Sequence, residues 1–136
     1  MTPAIISAIL RWPVTAFLAR LLLVFMFLGS AIDKITNFAG AQVEMAHFGL
    51  SPPWLFAVAT ILTQLIGSVL ILANRATWLG AGALAVFTLL TIPIAHHFWT
   101  MEGQMALIEF YFSVEHLSVI GGMILVAILA ERTRAA

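Results

Sequence analysis

Four stretches of about twenty residues, each almost free of charge, constrain this chain more than any other feature. They cover residues 14–32, 54–73, 77–98 and 110–130. A helix needs roughly 20 apolar residues to cross the ~30 Å hydrocarbon core of a bilayer. Only helices or closed barrels satisfy every backbone polar group in that medium. None of the stretches alternates as a barrel strand does. Each is apolar around its whole circumference, as helices surrounded by lipid and by one another must be. The sequence therefore predicts an all-α fold, a polytopic membrane four-helix bundle, with residues 1–136 forming one transmembrane domain.

Composition excludes the other classes. The chain is 62% hydrophobic and 9% charged, against about 25% charged residues in a soluble domain, so it cannot cover a water-facing surface. It has no cysteine, which removes disulfides, thiol exchange, iron–sulfur ligation and cysteine zinc sites. Net charge is +0 and no basic run occurs, so nucleic acid is not an expected partner. The Leu28-Gly29-Ser30-Ala31 stretch resembles a leader cleavage site. However, Arg20 interrupts the apolar run and Asp33-Lys34 follow it, so the first span is read as a retained helix.

The charges orient the bundle. Arg11, Arg20, Arg75, Arg132 and Arg134 fall on one side with Glu131; Lys34 falls on the other with Asp33, Glu44, Glu102, Glu109 and Glu115. The positive-inside rule puts both termini in the cytoplasm. His47, His96, His97 and His116 then lie on the outer side. Trp12 and Trp78 mark the inner rim; Trp54, Trp99 and Tyr111 mark the outer one. The expected location is the inner membrane of a bacterial cell.

Between the first two spans lies TNFAGAQVEMAHFGLSPP. Phe38, Ala41, Met45 and Phe48 recur at three- or four-residue steps, the pattern of a short helix lying in the interface. Gly49 and Pro52-Pro53 end it and start the next span. Two polar residues sit within the spans. Arg20 is placed to snorkel towards the cytoplasmic headgroups, and Gln64 needs a partner on a neighbouring helix. Gly67-Ser68, Gly80/Gly82 and Gly121-Gly122 remove bulk where helices can approach. Pro93 is expected to kink the third span one turn before the paired histidines.

Those histidines open the one dense polar stretch, AHHFWTMEGQMALIEFYFSVEHLSVIGGM. The short connection makes the last two spans antiparallel neighbours, bringing His96 and His97 to the depth of Glu115 and His116, with Asp33 and Lys34 nearby. One reading is a hydrogen-bonded network closing the outer end of the bundle. Another is a metal site: His96, His97, His116 and Glu115 suit zinc, copper or iron, although their spacing matches no standard motif.

The assembled residues resemble the DoxX family of small membrane proteins. The resemblance rests on Arg20 with LLLVFMFLGSAIDKITNF, on Gly49-Leu50-Ser51-Pro52, on QLIGSVLILANRAT, and on HHFWTMEG with EHLSVIGG. It covers about Arg20 to Ala130. It departs at Glu115-His116, where relatives commonly carry Lys-Asn, and at Gln64, where many carry a carboxylate. The resemblance implies a four-helix bundle associated with membrane redox systems, quinone-linked or concerned with oxidative stress. It also supports a third reading of the cluster: a quinol or quinone pocket in which a histidine and Glu115 accept protons. The expected function is an accessory membrane subunit of such a system. A non-catalytic scaffold, a small-solute transporter and a His/Glu metal-binding protein are the alternatives. The expected partners are the lipid bilayer, redox partner subunits and, in a homo-oligomer, further copies of the chain.

Overall fold

The computed structural model describes residues 2–135. Four of its helices are long and apolar enough to cross a membrane. A short lead-in, α1 (Ala4–Arg11), buries no residue. The chain turns at Trp12 and enters α2 (Pro13–Thr36), with Pro13 at the first helical position, where its missing N–H costs nothing. Asn37 ends α2 and caps α3 (Phe38–His47) by accepting a hydrogen bond from the Gly40 N–H at 3.0 Å. This is the interfacial helix expected from the apolar stripe. Ala41 and Met45 are buried against Ala57 of α4 (Pro53–Leu72), so α3 lies on the bundle rather than standing off it.

The turn from α4 into α5 (Thr77–Ala95) places Asn74 and Ala76 at positive φ, 51° and 47°. Asn tolerates this conformation, whereas for Ala it is strained. Helix α5 stops at Ala95, short of the expected Phe98. The chain then makes a single 3-10 turn, Phe98–Thr100, and α6 begins at Gly103 and runs to Ala135. The expected start at residue 110 is therefore two turns late. No proline or glycine interrupts residues 104–109, and most of them are good helix formers, so the helix extends out to the loop.

Consecutive spans pack as neighbours in the order α2, α4, α5, α6, and α6 closes the ring through a thin contact with α2. The inner half is solid, built on Val24, Phe27, Ile71, Leu84, Met123 and Val126. In lipid such a core is held by close packing rather than by exclusion of water. Glycine makes the tightest approach: a Cβ on Gly80 would lie 2.6 Å from the Gly67 carbonyl, and one on Gly122 would lie 2.9 Å from Leu23. Gly82 and Gly121, expected in the same role, have open space around them.

Candidate functional site

Above this solid half the bundle is hollow. A cavity of about 540 Å³ occupies the outer half, lined by residues from α2 to α6. Its walls are mostly apolar, with Phe27, Phe87 and Phe112 among them. Its polar groups fall into three sets, besides the hydroxyls of Thr60, Thr63 and Thr91.

The first set sits where α5 ends. His96 Nδ1 lies 2.6 Å from Glu109 Oε2, and both side chains are largely shielded. A charge at membrane depth is costly alone, about 2.5–3.5 kcal/mol at the bilayer centre. Here the carboxylate accepts from an imidazole N–H, which offsets that cost. The Ser113 hydroxyl lies 3.3 Å from the His96 carbonyl and 2.9 Å from the Glu109 carbonyl, tying the end of α5 to α6. His116 stands edge-to-face with His96, ring centroids 4.7 Å apart. Its Nδ1 is 2.7 Å from the Phe112 carbonyl. A carbonyl can only accept, so Nδ1 carries the proton and Nε2 of the neutral ring is an acceptor.

The second set joins α2 to α3. Lys34 is buried, 8% exposed, and donates to Glu44 at 2.7 Å. The third set forms the floor. Gln64 is buried and bonds Ser30 through Nε2 at 3.2 Å, as the notion of an interhelical amide requires. Gln64 Oε1 and Thr88 Oγ1 are buried without a protein partner, and both residues line the cavity. Buried polar atoms are rarely left so.

The expected cluster is thus partly assembled. His96, His116 and Lys34 share the cavity. His97 does not reach it, and Asp33 and Glu115 are exposed on the outside of their helices. Glu109, not Glu115, is the carboxylate beside the histidines. Helical periodicity carries the signal that finds it: Glu109 and His116 are two turns apart on one face, whereas Glu115 precedes His116 by a single residue and points about 100° away. A helix starting at residue 110 would put Glu109 on the loop. Arg20 is half-buried and, among the described residues, makes no salt bridge, which fits snorkelling to the inner rim. No group of three or more His, Asp or Glu side chains able to hold a metal ion occurs among the described residues. His96, His97, His116 and Glu115 do not form one ligand set.

Comparison with known proteins agrees with this architecture. The DoxX family model matches residues 15–97. That range takes in α2 to α5 and His96, and ends before α6. Inner membrane protein YphA of Escherichia coli strain K12 is 29% identical over 119 residues, covering 85% of this chain and 83% of that protein. No solved structure matches the chain.

Proposed function

Since the chain belongs to the DoxX family and is a multi-pass integral protein of the inner membrane, we propose that it is the accessory membrane subunit of a redox system and holds a quinone headgroup in its outer cavity. The observation that carries this reading is the pairing of two imidazoles, His96 and His116, with a carboxylate at the head of a mostly apolar chamber. Ligand sites of this kind combine apolar walls with a few placed polar groups, within a range of roughly 300–1,000 Å³.

A bound quinone couple supplies two-electron, two-proton chemistry. The chain's own part is to bind, orient and hold protons. His96 and His116 both line the cavity, and imidazole is the side chain whose ordinary titration spans neutral pH. Glu109 fixes the His96 ring through Nδ1, so the nitrogen left for a guest is Nε2. Phe87 and Phe112 offer aromatic surface to a planar ring. Gln64 Oε1 and Thr88 Oγ1 offer the floor hydrogen bonds that the protein itself leaves unmade.

The test is extraction. Protein purified in mild detergent from its own membranes should carry quinone, measured by reversed-phase chromatography of the lipid extract against a control membrane protein of similar size. The His96→Phe/His116→Phe variant should lose it while its helical circular dichroism is unchanged. Equal quinone in variant and wild type would remove the cavity from the account.

A further inference from the structure

The cavity's hydrogen-bonding groups differ in kind from those a quinone would ask for. A quinone presents two carbonyl oxygens, which only accept. A quinol presents two hydroxyls, which donate and accept. The protein's head groups are acceptors. His116 has committed Nδ1–H to the Phe112 carbonyl, and His96 has committed Nδ1–H to the Glu109 carboxylate. Among the described residues neither Nε2 has a protein donor, and in a neutral ring each is a lone pair seeking an N–H or O–H.

The remaining groups do not reverse this. Lys34 is the cationic donor on the wall; Glu44 takes one of its N–H groups at 2.7 Å, and those left can be accepted by a hydroxyl oxygen as well as by a carbonyl, so they suit either guest. Thr88 is a hydroxyl and suits either guest. Gln64 contacts Ser30, whose hydroxyl can donate or accept, so that bond does not fix which end of the amide meets it. A hydroxyl guest satisfies it whichever end faces the cavity, and a carbonyl guest satisfies only one.

From this we infer that the cavity selects the reduced, hydroxyl-bearing form of its guest: an aromatic diol binds in preference to the corresponding dione. The inference rests on the quinone reading of this site and adds the redox state. With the dione bound, two imidazole lone pairs would be closed off from water without a donor, and leaving such groups unpaired is the costly outcome. We expect at least a tenfold preference for the diol. Tighter binding of the reduced form raises the potential of the bound couple, by about 30 mV for each tenfold in a two-electron pair. The cavity would thereby favour reduction of its guest by a partner that donates electrons.

The experiment is a paired titration of the full chain in lipid nanodiscs, under argon, with a short-chain ubiquinol and with the matching ubiquinone, read by calorimetry. The expected result is dissociation constants differing at least tenfold in favour of the quinol, with the ratio falling to about threefold or less in His116→Phe. Equal affinities, or tighter binding of the quinone, would overturn the selectivity while leaving the quinone reading of the cavity intact. If neither form binds, the quinone reading fails and takes the selectivity with it. A ratio that persists in both His116→Phe and His96→Phe would show that the imidazoles are not its source.

Discussion

Two carboxylates in α6, six residues apart, have opposite environments. Glu109 is shielded and bonded to His96, whereas Glu115 is exposed. Glu109→Gln should therefore destabilise the protein by about 1–3 kcal/mol, the range for a disrupted buried hydrogen bond, and Glu115→Gln should leave the thermal melt in detergent unchanged. The Lys34–Glu44 pair carries a similar asymmetry. Lys34 is buried and Glu44 is 42% exposed at its side chain. Lys34→Met leaves a carboxylate that can turn to water, so its cost should be small. Glu44→Ala strands a buried ammonium, and breaking a pair that way costs on the order of 3 kcal/mol. Thermal unfolding of the two variants side by side checks the order. A larger loss for Lys34→Met would mean that Lys34 is better hydrated than its burial indicates.

At the scale of elements, the bundle depends on one close crossing. Gly67 and Gly80 bring α4 and α5 together so closely that a methyl on Gly80 would strike backbone, which cannot move aside. Gly80→Ala should lower the melting temperature in detergent sharply. Gly82→Ala and Gly121→Ala meet nothing and gain helix propensity of up to about 1 kcal/mol, so they should melt at or slightly above wild type. The elements themselves were readable in the sequence, because span length and the α3 stripe follow directly from bilayer thickness and helix period. The roles of particular glycines were not, since all five look alike until helix rotation is known. Glu109 was missed for a related reason: the periodicity that pairs it with His116 holds only if α6 begins at Gly103. The cavity was also illegible, because a hollow arises from what several helices fail to fill.

At the scale of the whole molecule, four spans put both ends of the chain on one side of the membrane. The clustered arginines assign that side to the cytoplasm. The half of the bundle that holds the cavity, α3 and the loop before α6 then face outwards. The chain has no cysteine, so Gln104→Cys gives a single exposed thiol in the first turn of α6, beside that loop. It should react with a membrane-impermeant maleimide in intact cells, and labelling only after lysis would reverse the orientation.

The account stands on where its guest sits, and photo-crosslinking reports that most directly. An azidoquinone irradiated with the nanodisc-embedded protein, followed by peptide mass spectrometry, should leave adducts around the cavity, on peptides carrying Phe48, Thr63 or Phe112. Excess unlabelled quinol should suppress them. Adducts confined to lipid-facing positions such as Leu22 and Leu125, unaffected by competitor, would contradict the claim that this cavity is a quinone site.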